Sequence, residues 1–209
     1  MSVDNQLKKI EELYTSNLQR LGTSSQSVGW NSEDSQKMRF IKLAQVVQDP
    51  DQPFSVNDYG CGYGAMANFF EDELGLQIAG YNGYDISKEM LSSASAALSP
   101  RQKNLQLIES PDITTEADYS FVSGTFNVRF DAERAAWTSY VEQKIAQMDR
   151  FSRRGFAFNM LTSYVDWEEP HLYYGNPCDW FDFCKKNFSK RVSLIHDYPL
   201  WEWTIVVRK

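Results

Sequence analysis

Asp58, the glycines Gly60, Gly62 and Gly64, and Asp85 are the residues whose types and spacing could do chemistry. Glycines at alternate positions let a backbone turn sharply and come within contact of a ligand, because no Cβ stands in the way. Asp85 lies 21 residues beyond Gly64. That is where the second strand of a βαβ unit ends, and a carboxylate there accepts hydrogen bonds from both hydroxyls of an adenosine ribose. The run Gly60-Cys61-Gly62-Tyr63-Gly64-Ala65 satisfies the dinucleotide fingerprint. Asp58 stands two residues before it, and a carboxylate repels a pyrophosphate but attracts an ammonium group. It therefore favours a nucleoside ligand with a cationic portion over a dinucleotide.

Groups able to move a proton are few. The chain has two histidines, His171 and His196. His171 falls in a loop with Trp167, Glu168, Glu169, Tyr173 and Tyr174, so that His171, Tyr173 and Tyr174 are candidates for proton transfer or for the wall of an acceptor pocket. His196 lies at a strand end, where a structural role is expected.

These residues need a scaffold that gathers them at one edge. Strand-like runs occur at Phe54 to Tyr59, Ile78 to Tyr84, Leu105 to Glu109, Tyr119 to Ser123 and Phe156 to Leu161. Helical patterns separate most of them: Ala65 to Leu74 after the glycine turn, Lys88 to Leu98 behind a Ser87 cap, and a longer helix capped by Asp131 with Trp137, Val141, Ile145 and Met148 on one face. The alternation predicts a parallel sheet with helices on both faces and ligands at the carboxyl ends of its strands. Two further strands, Arg191 to Ile195 and Trp203 to Val207, are separated by only His196 to Glu202. A crossover helix needs about a dozen residues, so these two pair as an antiparallel hairpin.

Composition bounds the answer further. A chain of 209 residues with 42% hydrophobic and 23% charged residues reads as one folded α/β domain. Its formal charge of −7 disfavours a nucleic-acid partner, which needs a basic surface. Cys61, Cys178 and Cys184 show no CxxC spacing, so neither a disulfide framework nor a metal site is expected. No apolar run approaches the roughly 18 residues that cross a bilayer, and Met1 to Asn5 lack a signal-peptide pattern. The expected location is cytoplasmic, without membrane attachment.

Through Asp58-Tyr59-Gly60-Cys61-Gly62-Tyr63-Gly64 and Asp85, the chain resembles class I S-adenosylmethionine-dependent methyltransferases. Fainter matches run over residues 12 to 209, among them Gly29-Trp30-Asn31, Arg39-Phe40, Ser123 to Asn127, Gly155 to Leu161, Tyr173 to Pro177 and Glu202-Trp203-Thr204. The resemblance implies a Rossmann-like, seven-stranded, mostly parallel sheet with an antiparallel C-terminal strand. It implies S-adenosylmethionine as cofactor, S-adenosylhomocysteine as product, and methyl transfer to an oxygen or nitrogen of a small-molecule acceptor. Residues 1–50 then form a helical cap or lid and 51–209 the cofactor-binding domain. In roles, Asp58, Gly60, Cys61 and Gly62 line the methionine portion, Asp85 the ribose and Ile86 the adenine. Asp112 is expected at the adenine amino group, Gly124, Thr125 and Asn127 at the sulfonium, and Tyr14, Gly22 and Trp30 in the lid, aromatic faces being suited to a sulfonium. A small NAD(P)-dependent oxidoreductase and a non-catalytic cofactor-binding interaction domain stand as alternatives.

Overall fold

The computed structural model describes residues 3–209; Met1 and Ser2, which open the expected lid segment, lie outside them. The order of elements is α1 (Val3–Leu21), a short 3-10 helix (Ser25–Val28), α2 (Glu33–Ala44), β1 (Phe54–Tyr59), α3 (Ala65–Asp72), β2 (Ile78–Asp85), α4 (Lys88–Leu98), β3 (Leu105–Glu109), β4 (Ala117–Val122), α5 (Arg134–Phe151), β5 (Ser152–Thr162), β6 (Tyr174–Gly175), α6 (Pro177–Asn187), β7 (Arg191–Ile195) and β8 (Glu202–Arg208). Helix starts follow side-chain chemistry. The Ser87 hydroxyl accepts from Met90 N–H to cap α4, and Asn176 caps α6 with Pro177 in its first turn. The cap expected at Asp131 is supplied instead by Glu133, whose carboxylate accepts from Ala135 and Ala136 N–H. Asp131 is drawn away by Lys9 of α1, 2.7 Å distant.

The strands form one sheet in the order β3-β2-β1-β4-β5-β8-β7. Pairs β3 to β5 are parallel, and β8 runs antiparallel between β5 and β7. This is the expected architecture, with the C-terminal hairpin as read from its short connection. An eighth strand is added: two-residue β6 extends the end of β5 in parallel, pairing Leu161 with Tyr174. Two residues carry too little periodicity to show in a sequence.

Each central strand feeds both faces of the sheet, because successive side chains point to opposite sides. Phe156 and Phe158 join Trp137, Val141, Ile145 and Trp180 on the α5/α6 face. Ala157 joins Phe40, Leu43, Met66 and Phe70 on the α2/α3 face. The two cores leave the carboxyl ends of β1, β2 and β4 open at one edge, under α1. Among the described residues no helix is long and apolar enough to cross a membrane.

Candidate active site

A partly open cavity lies at that edge. Its floor is the β1 end and glycine loop, Asp58 to Gly62; one side carries Asp85, Ile86 and Ser110, the other Ser123 to Phe126. Leu7, Ile10 and Tyr14 of α1, with Val28 and Trp30, cover it from the N-terminal segment.

The glycine loop is fixed at its base by Gly60 and Cys61 N–H, which both donate to the Tyr84 carbonyl of β2. Gly60 has φ +75°, and a Cβ there would stand 2.2 Å from Thr125 Oγ1. Both the backbone conformation and the close approach of the β4 loop therefore require glycine. Asp85 is tied into the same loop. Its Oδ2 accepts from Gly62 N–H and its Oδ1 from Ser87 N–H, each at 2.9 Å. A carboxylate has about four acceptor positions, so two remain for a ligand's hydroxyls. Burial raises its pKa, opposed by these N–H bonds.

Asp58 is buried, and Tyr81 Oη donates to its Oδ2 at 2.5 Å. Burial pushes its pKa up to about 7; the Tyr81 hydrogen bond lowers it and the charge of Asp85 adds to the rise. Tyr14 is pushed up to about 12 by burial and, secondarily, by Asp85. Cys61 is held as a thiol well above its ordinary value by burial first and by Asp85 and Asp58 next. The wall thus carries two carboxylates and, among the described residues, no Lys or Arg.

Of the residues anticipated from sequence, Tyr14, Trp30, Asp58, Gly60, Cys61, Gly62, Asp85, Ile86, Gly124 and Thr125 come together around this cavity. Others are placed elsewhere. Asp112 is turned to α5, its Oδ1 accepting from Lys144 Nζ at 2.6 Å and Gln147 Nε2 at 2.7 Å, bonds that keep its carboxyl below the usual range. Asn127 forms a turn: its N–H donates to the Gly124 carbonyl and its Oδ1 accepts from Leu161 N–H. Gly22 is exposed and ends α1, its N–H closing on the Leu18 carbonyl.

The proton-transfer candidates also lie outside the cavity wall. His171 is exposed, and its carbonyl accepts from Arg129 and Phe130 N–H, stapling the loop before α5. Tyr173 is buried with its hydroxyl 2.8 Å from Thr138 Oγ1, and Tyr174 is buried with its hydroxyl accepting from Glu169 N–H. Tyr173 belongs to the core on the α5/α6 face and Tyr174 opens the short strand β6, a placement that a loop reading does not foresee. Conversely, sequence reasoning passed over Val28, Gln36 and Tyr140 in the wall. None had a spacing that distinguished it from core or loop.

A glycine loop after β1, a half-buried acid at the end of β2 and an antiparallel β8 inserted beside β5 define a Rossmann-like adenosyl-cofactor domain. Comparison with known proteins narrows this. No model of a protein family matches the chain. The Mycobacterium tuberculosis protein named "Putative methyltransferase Rv1506c" is 45% identical over 159 residues, which span 75% of this chain and 94% of that protein. Among solved structures, magnesium protoporphyrin IX methyltransferase of Synechocystis PCC 6803 with bound S-adenosylhomocysteine superposes with a TM-score of 0.70 at 13% identity, covering 98% of this chain and 99% of that one. Human N-acetylserotonin methyltransferase in complex with S-adenosylmethionine gives 0.65 at 13% identity, covering all of this chain and 60% of that one. The chain belongs to the class I S-adenosylmethionine-dependent methyltransferases, and the cofactor of that family is S-adenosylmethionine.

Proposed function

We propose that the protein transfers the methyl group of S-adenosylmethionine to an oxygen or nitrogen of a small-molecule acceptor. The observation that carries this reading is that Asp58 and Asp85 line one cavity together with the glycine loop. The donor set fits the cofactor: Asp85 keeps two free acceptor positions for ribose hydroxyls, and buried Asp58 answers an ammonium group. Gly60, Cys61 and Gly62 admit the methionine chain, Ile86 packs on the adenine, and Gly124 and Thr125 bound the reacting end. Residues 1–50 act as the lid through α1 and Trp30, over a catalytic domain formed by 51–209.

When bound, the cofactor supplies an activated methyl group on sulfur. The protein's part is alignment and exclusion of water, which suffices for much of an in-line displacement. The carboxylate-lined, cation-free wall favours a neutral or cationic small molecule over a nucleic acid. Calorimetric titration with S-adenosylmethionine, S-adenosylhomocysteine and NADH tests the cofactor. Binding of the two adenosyl ligands with none of NADH supports the reading, and the reverse pattern would replace it with the oxidoreductase.

Asp58 makes the affinity depend on pH. An ammonium group stabilises the ionised carboxyl, so below about pH 7 binding must expel the proton that burial retains. Affinity is expected to rise with pH up to about 7 and level off above. Titrations at pH 6 in buffers of different ionisation enthalpy should report release of a proton, and a release of zero would count against an ammonium beside Asp58. His171→Ala, by contrast, is expected to leave S-adenosylhomocysteine affinity within about twofold and stability within about 0.5 kcal/mol, as for a surface residue. A larger loss in calorimetry or urea denaturation would return His171 to the site.

A further inference from the structure

Groups from five separate segments close a ring beside the glycine loop. Gly124 N–H donates to Asn159 Oδ1 at 2.8 Å, and Asn159 Nδ2 donates to Glu202 Oε2 at 2.6 Å. Arg39 grips both Glu202 oxygens, through Nε at 2.8 Å and Nη2 at 2.6 Å. The other side of its guanidinium chemistry is aromatic: Cζ lies 3.8 Å from the centroid of the Trp30 ring. Trp30 in turn covers Gly124, where a Cβ would stand 2.0 Å from Trp30 Cη2. The ring begins and ends at Gly124.

Only its two ends, Trp30 and Gly124, line the cavity. The Arg39 and Glu202 side chains are 8% and 1% exposed, and Asn159 is fully buried. Burying such an ion pair incurs a large desolvation cost, so apolar residues of similar volume are often no less stabilising. An apolar pair would not orient an indole. A planar guanidinium fork, fixed bidentately by a carboxylate, presents one flat face in one direction.

We propose that Arg39, Asn159 and Glu202 are positioning residues for methyl transfer: their ring holds the Trp30 indole against the sulfonium side of the cavity. Glycine at 124 leaves room for that indole, and Glu202 neutralises Arg39 so that the aromatic surface stays attractive to a second cation. The inference rests on the S-adenosylmethionine reading and adds to it the residues that set the reacting end.

S-adenosylmethionine and S-adenosylhomocysteine differ only in the methyl group and the charge on sulfur. The ratio of their dissociation constants therefore reports on what faces that atom without need of an acceptor. Trp30→Leu is expected to shift the ratio against S-adenosylmethionine by about fivefold, within the range of a partly desolvated cation–π contact. The double variant Arg39→Met/Glu202→Leu, which leaves no charge unpaired, should shift it in the same direction. Combining both changes should add nothing beyond Trp30→Leu. Arg39→Lys keeps the charge but loses the fork, and should give a partial shift, which serves equally if the double variant does not fold. An unchanged ratio in Trp30→Leu, in the folded double variant or in Arg39→Lys, or fully additive effects, would overturn the proposal. Failure of the wild-type protein to bind either adenosyl compound would instead overturn the cofactor reading.

Discussion

Asp85→Ala is expected to lower affinity for S-adenosylhomocysteine by about two orders of magnitude or more. A hydrogen bond to a charged group contributes roughly 1.5–3 kcal/mol, and about 1.4 kcal/mol is a factor of ten in affinity. Two ribose hydroxyls would each lose such a partner. The variant also frees the Gly62 and Ser87 N–H groups that now donate to Asp85, so the glycine loop loses its tether to the end of β2. Asp85→Asn separates the two effects. Its amide oxygen can still accept from one N–H, but its NH₂ group cannot accept from a hydroxyl. Calorimetry on both variants, with circular dichroism to establish folding, makes the comparison. A loss under tenfold in folded Asp85→Ala would remove the ribose role.

Glu202→Ala is expected to produce the largest loss of stability. It leaves Arg39 charged, buried and without its carboxylate, and it takes the acceptor from Asn159 Nδ2. Breaking one side of a buried pair costs about 3–5 kcal/mol. In a chain of this size, 1 kcal/mol moves the melting temperature by about 2–4 °C, so a fall of roughly 6–20 °C should be seen. Removing both partners as Arg39→Met/Glu202→Leu should recover most of that loss, because the penalty belongs to the unpaired charge rather than to the missing contact. Urea denaturation of the single and double variants decides it: equal instability of the two would show that the pair itself supplied the stability.

The candidate site divides sharply between what local pattern exposes and what it conceals. Asp58, the glycines and Asp85 are legible because a tight turn and a strand end set their spacing within a single βαβ unit. Trp30 also reaches the cavity as its polar-loop position suggested. Asp112 followed a comparable rule of position, yet Lys144 and Gln147 on α5, more than thirty residues away, turn its carboxylate aside. His171, Tyr173 and Tyr174 carry the right functional groups for proton transfer. The hydroxyls of Tyr173 and Tyr174 are engaged by Thr138 and Glu169 outside the cavity wall, and His171 is held through its backbone on an exposed loop.

Sequence by itself determined seven of the strands, the helices that follow β1, β2 and β4, the antiparallel C-terminal hairpin and the nucleotide-type glycine loop. All depend on short-range features: apolar periodicity, a connection too short for a crossover, and glycines that permit a turn. Tertiary structure alone decided the cap of α5, the strand β6 and the ring that joins Trp30 to Gly124 through Arg39, Glu202 and Asn159. Arg39 and Glu202 are separated by 163 residues. Nothing within either element pairs the two, and only the folding of β8 against β5 and of α2 onto both buries the two opposite charges together.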